Sequence, residues 1–329
     1  MSADPRYALA GEGGVTYGIE GEPYEQAGDA DIDPGLTNED IEPPNPNEHT
    51  AMPHGGAGRV VFLNSPDEKD YEFDLPVTVH DENAPFEIAM GSRTETSETD
   101  YTEVLFEEAN RLPTATIRHF QSDLDFVSYY IGCKASLDIE WGQGDPLQAT
   151  FGVQAAQLGY DPEESAPSYT PALREDVKPY RAHMAGDMTL SDPDDDSVIK
   201  EIATVSGGSW SWDNGLESQH HGGDPGREAF AIAETTAAEG RYDMTNTVNI
   251  TDAELFERAV ENQEPVDVEQ PFIRETSNDT WIDAVIIRLK RATIVDAPIS
   301  SPSEGVIEND IQLLPEATEI EIRVPNGGT

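Results

Sequence analysis

The chain has 329 residues, enough for one large domain or two of ordinary size with proper cores. It carries 66 acidic residues against 19 basic ones, a net charge of −47. Phosphate binding needs Lys and Arg to displace counterions, so this balance excludes a protein that grips nucleic acid, though not one that encloses it. The acids run along the whole length, and 11 Tyr, 10 Phe and 4 Trp recur in apolar runs, which argues for a folded protein with an acidic surface rather than a disordered one.

The lysines are few: Lys69, Lys134, Lys178, Lys200 and Lys290. A lysine-poor, carboxylate-rich surface suits concentrated salt, where screening removes most self-repulsion, and points to a halophilic source. Cys133 is the single cysteine, so no intrachain disulfide forms. MSADPRYALAGEGG is not a charged-then-apolar leader, and no apolar run approaches membrane-spanning length, so a soluble protein is expected.

Residues 1–58 are rich in Gly, Pro, Asp, Glu and Asn and predict an extended N-terminal arm, ordered by packing on a neighbour. From residue 59, RVVFLN and YEFDLPVTV read as strands around the turn SPDEKD. DENAPFEIAMG predicts a short helix ending at Gly91. After SRTETSETD, read as a polar loop, LPTATIRHF, DFVSYYIGCKASLDIEW and LQATFGVQAAQL have strand composition, with a turn at GQGDP. Residues 159–184 hold four prolines and little periodicity, the mark of a linker.

The second half begins with DMTL, the acidic turn SDPDDDS and the strand VIKEIATVSG. GRYDMTNTVNI alternates as a strand. TDAELFERAVENQ then predicts a helix, with Thr251 and Glu254 as a capping box and Leu255, Phe256, Ala259 and Val260 as its apolar stripe. PVDVEQPFIR, WIDAVIIRLKRATIV, VIENDIQLL and TEIEIRV follow as strands. Each half runs paired strands, one short helix, a strand entered through proline, a long strand and a closing strand, which predicts an internal duplication. The fold expected is mainly β: an arm (1–58), two tandem β domains (59–158 and 185–329), each with one short helix, and a linker (159–184).

The stretch WSWDNGLESQHHGGDPGREAF, residues 210–230, has the composition of an active site. Its adjacent His220 and His221 would point to opposite faces of a strand, and no metal-ligand spacing supports them. The carboxylates Asp192, Asp194, Asp195 and Asp196 fail a calcium-loop pattern, since Ser197 and Ala203 stand at its sixth and twelfth positions. GEGG and GGDPG lack the context of a phosphate loop, no serine sits in a GxSxG elbow, and Cys133 lies mid-strand as an inert thiol. No catalytic, cofactor-binding or metal residue is assigned, and no enzyme is expected.

Ordered segments of the second half resemble the tail tube (major tail) protein of long-tailed, non-contractile, siphovirus-type phages and their archaeal relatives. SWSWDNGLES is similar to that family's strand running into an asparagine-containing turn. GREAFAIAETTAAEGRYDMTNTV is similar to its loop returning to a strand, TDAELFERAV to its single outer helix, and DAVIIRLKRATIVDAPISSPSEGVIENDIQLL to its closing pair of strands. The likeness spans about residues 198–323, and APFEIAMG and YIGCKASLDIEWGQGDPLQATFGVQA join it more loosely.

The resemblance implies that the two domains are tail-tube-like β-barrels or sandwiches, and that stacked rings of the chain form a conduit for the genome, with DNA passing through the lumen without specific binding. It also implies contact with other tail proteins, a place in the virion tail after synthesis in the host cytoplasm, and no membrane. With the halophilic composition it implies a virus of a halophilic archaeon. A duplicated chain would close as a trimer with pseudo-sixfold symmetry, an unduplicated one as a hexamer. Residues 210–230 would then be an assembly element, with Trp210 and Trp212 anchoring a core or interface. A haloarchaeal surface or secreted β-domain binding protein and a capsid decoration protein are the alternative readings.

Overall fold

The computed structural model describes residues 13–35, 49–53, 61–66, 69–121, 126–142, 145–160, 179–181, 188–202, 205–221, 228–234, 241–249, 264–274, 282–296 and 308–326. The first half contains β1 (Gly13–Ile19), β2 (His49–Pro53), β3 (Val61–Pro66), β4 (Tyr71–Thr78), the helix α1 (Glu87–Met90), β5 (Gly91–Ser97), β6 (Tyr101–Glu108), β7 (Ala115–Gln121), β8 (Phe126–Gly142), β9 (Gln148–Ala155) and β10 (Gln157–Tyr160). The second contains β11 (Met188–Ser191), β12 (Val198–Ile202), β13 (Val205–Trp212), β14 (Glu217–His220), β15 (Ala229–Ala233), β16 (Tyr242–Asn249), β17 (Val266–Ile273), β18 (Ala284–Asp296), β19 (Glu308–Leu314) and β20 (Ala317–Pro325). The chain is mainly β, as its alternating composition requires, with a 16-stranded sheet folded into sandwich-like layers.

Two long strands carry the architecture. β8 pairs with β7 and β10 over its first part and with β9 and β13 over its second. β18 pairs with β17 and β20 first and with β19 afterwards. One layer therefore runs β4-β9-β8-β13-β16-β19 and another β5-β6-β20-β18-β17-β11-β12. Hydrogen bonding joins the halves directly, β8 to β13 and β6 to β20, and the largest apolar cluster draws on both.

Each long strand bends at a bulge where the backbone leaves the β region. Gly132 has φ 72° and Arg291 has φ 47°. A Cβ on Gly132 would sit 2.4 Å from the ring of Tyr24, so glycine is required there by space as well as by torsion.

Several segments differ from the sequence reading: the arm also holds β2, and LQATFGVQAAQL is divided at Ala156 between β9 and β10. Within the expected arm, Val15 and Tyr17 alternate as a buried strand, so β1 pairs with β7 of its own chain. Glu20, just beyond it, accepts hydrogen bonds from the Gly132 and Tyr24 N–H groups, each at 2.8 Å, and from Thr116 Oγ1 at 2.9 Å. SRTETSETD is largely the edge strand β5, whose polar side chains face solvent while its backbone pairs with β6. VIKEIATVSG is divided between β12 and β13 rather than forming one strand. α1 ends at Gly91 (φ 110°) as expected, with Ile88, Ala89 and Met90 buried. The predicted helix TDAELFERAVENQ, with Phe256, lies outside the described residues, as does most of the 159–184 linker.

Candidate functional site

Trp210 and Trp212 project from β13 into the core and are fully buried. Trp141 meets Trp210 edge to face at 4.9 Å. The indole N–H groups find Asn246 Oδ1 at 2.5 Å and Thr318 Oγ1 at 2.7 Å. The strand then runs into Asn214, which is buried at a junction of α1, β8 and β13. Its Nδ2 donates to the carbonyls of Ala89 (2.9 Å) and Ala135 (2.7 Å), and its own N–H donates to Ser136 Oγ (3.1 Å). The asparagine turn read from the sequence is a clamp between the two halves. An amide donor next to a strand edge carries no local signature that would have revealed it.

The two histidines part company as neighbours on a strand end should. His220 Nε2 lies 3.2 Å from Asp70 Oδ1, and His221 stacks on Phe230 with ring centroids 3.9 Å apart. The β14–β15 hairpin lies over the first half of its own chain. Gln154 Nε2 donates to Ser218 Oγ (2.9 Å), Lys134 pairs with Glu234, and Lys69 pairs with Glu228 at 3.3 Å. For these residues, the contact expected between subunits joins the two halves of one chain.

Asp192 to Asp196 form the turn between β11 and β12. Asp192 Oδ1 accepts the Asp194 N–H (2.9 Å) and Asp195 Oδ1 the Ser197 N–H (3.0 Å), a self-satisfied turn. Hydrogen bonds from the Ser197 side chain and N–H hold the Asp195 carboxyl below its ordinary range. Cys133 is buried, and burial pushes its thiol well up.

The extended polar surface lies on the β4-β9-β8-β13-β16-β19 layer. Strict alternation turns Phe73, Leu75, Phe151, Ile139, Trp210, Met244 and Ile311 inward. The opposite face carries Glu72, Asp74, Asp138, Glu140, Asp243 and Asp310, with Gln148, Thr150, Ser209, Ser211, Thr245 and Thr247 between them. A shallow depression on it is bordered by Glu140, Asp145, Gln148, Ser209, Thr247 and Asp310. Within the described strands of this layer the one cation on that face is Lys134, which is buried beneath β15 against Glu234 and the Ile232 carbonyl.

The β17-β18-β20 layer differs. Arg288 pairs with Glu269 (2.8 Å) and Glu321 (2.5 Å), Arg323 with Glu321, and Lys290 with Glu319 (3.5 Å). Burial works against the Arg288 charge, but Glu321 and Glu269 outweigh it and hold its pKa up. Among the described residues, basic side chains are thus concentrated on one layer and missing from the exposed face of the other. Sequence reading could not assign this, because every strand supplies both faces.

The sequence profile described as Phage tail tube protein matches residues 61–299, which is more than half of the chain. The chain belongs to the phage tail tube protein family, a class of virion structural proteins that assemble with themselves and with other tail proteins. No curated protein matches it.

Proposed function

We propose that the chain forms stacked rings whose stacked lumen conducts the viral genome, and that the carboxylate and hydroxyl face of the β4-β9-β8-β13-β16-β19 layer lines that lumen. The observation that carries this reading is the separation of charge. A wall of Glu72, Asp74, Asp138, Glu140, Asp243 and Asp310 with no available cation on its described strands repels phosphate and offers no counterion release, so a duplex slides past it. Overall acidity alone would leave the cations on both faces.

The chain acts as two units, 59–158 and 185–329, joined by the 159–184 linker and preceded by the arm 1–58, which is anchored through β1. Matching strand pairings in the two halves support this division. Two units per chain favour a trimeric ring with pseudo-sixfold symmetry over a hexamer, because sheet edges are protected only when the wall closes. Lysine scarcity and the charge of −47 support a long-tailed virus of a halophilic archaeon, the chain being made in the host cytoplasm and incorporated into the tail.

The test is end-on imaging and ring mass of the purified chain in high salt. Rings of three chains agree with the proposal. Rings of six chains remove the duplication, and a monomer at all salt concentrations removes the conduit.

A further inference from the structure

Four strand pairings of the two halves match in register. Across the first bulge Ala115 and Ile117 face Cys133 and Tyr130; across the second Val266 and Val268 face Ala292 and Leu289. Past the bend, Lys134 faces Gln154 as Thr293 faces Leu314. One strand further, Phe73 faces Val153 as Met244 faces Leu313. The hairpins also correspond. β14–β15 pairs Gln219 with Ala231 and then, skipping Phe230, His220 with Ala229. β2–β3 pairs Met52 with Leu63 and then, skipping Phe62, Pro53 with Val61. Ala51 therefore occupies the register position of Ser218, and Leu314 that of Gln154.

The correspondence is complete on one side and open on the other. In the first half, the end of β8 is flanked by β13, and β14–β15 covers the strands beside it, so that Gln154 is 6% exposed and bonded to Ser218. In the second half, the described end of β18 pairs with β19 alone, Leu314 is 45% exposed and Val295 57%. At the other end of the layer β4 pairs with β9 alone, and β2–β3 pairs with no further strand among the described residues. Two-stranded hairpins are marginal by themselves, and bare apolar strand ends are association sites. The pairs also covary in kind. Where the filled junction sets Ser218 against Gln154, the open one would set Ala51 against Leu314, a polar contact exchanged for an apolar one.

We infer that the β2–β3 hairpin of one copy seats on the Val295 and Leu314 surface of the next copy and brings the open edge of β4 alongside the open end of β18. The hairpin contact between chains then repeats the one that β14–β15 makes within each chain, whereas β13, which stands between β8 and β16 inside the chain, has no counterpart among the described residues of the first half. This rests on the ring reading and names its contact. It is a head-to-tail interface, which closes into a ring when the rotation per unit divides the circle.

The experiment mixes two variants of the full chain, Ala51→Cys and Leu314→Cys, each also carrying Cys133→Ala so that it holds one thiol, in assembling salt under mild oxidation, and separately measures ring yield of Leu314→Glu. A disulfide between the two different chains is expected, together with at least about a tenfold fall in ring yield for Leu314→Glu at unchanged subunit melting, because a carboxylate would be buried unpaired. Rings that form at wild-type yield from Leu314→Glu, or that give no such cross-link, overturn the seam while leaving the ring reading intact. A wild-type chain that makes no rings overturns both.

Discussion

Replacing Asn214 by alanine tests the clamp at the junction of the two halves. The substitution removes the two hydrogen bonds that Nδ2 donates, to Ala89 O and Ala135 O, and the longer one that Oδ1 accepts from Arg241 (3.5 Å), from a residue 4% exposed. Both carbonyls would lose a donor in a place where water has little access. A buried polar group left unsatisfied costs about 1–3 kcal/mol, so two give about 2–4 kcal/mol after partial relaxation. Asn214→Asp is the sharper variant. It keeps the shape but sets a carboxylate oxygen against two carbonyl oxygens, so it should cost at least as much as alanine near neutral pH and recover part of the loss in acid. Urea unfolding in high salt, followed by tryptophan fluorescence, reports both. A loss below about 0.5 kcal/mol for Asn214→Ala, or an aspartate milder than alanine at neutral pH, would show that Asn214 fills space rather than bonds.

The two bends offer a paired comparison. Gly132→Ala should destabilise by about 1–3 kcal/mol because its Cβ meets Tyr24, whereas Arg291→Gly at the matching position relieves a left-handed torsion and should change unfolding free energy by less than about 1 kcal/mol. Burial raises the pKa of Glu87 above 4.5, partly offset by Arg93. Both folded and unfolded states hold the proton well below that value, so the penalty is absent there; it grows as pH rises through the folded pKa and then stays constant. Glu87→Gln should therefore raise the melting temperature at neutral pH, with the gain disappearing in acid. Neutralising the wall with Asp138→Asn and Glu140→Gln should raise stability by a few tenths of a kcal/mol at low salt and by nothing measurable in molar salt, where the screening length is about 3 Å. Melting curves across a salt series decide it.

Period-two alternation is a local property, and the sequence alone was enough to place β4, β7, β8, β9, β16, β17, β18 and the short helix before Gly91. The buried Trp210 and Trp212 were legible for the same reason, as was the self-satisfied Asp192–Asp196 turn. Polar β5 was not, because an edge strand that faces solvent on both sides has no apolar signature and is held by backbone bonds to β6. β1 was hidden in a Gly- and Pro-rich segment, where only its match to β7 made Val15 and Tyr17 a core face. The order of strands within the layers decided the rest. Which carboxylates share the cation-free face, that Asn214 reaches Ala89 and Ala135, and that Leu314 stands where Gln154 is covered all depend on partners far apart in the chain. Alternation fixes that a strand has two faces, but lateral pairing between distant segments chooses what each face meets, and no local pattern encodes that choice.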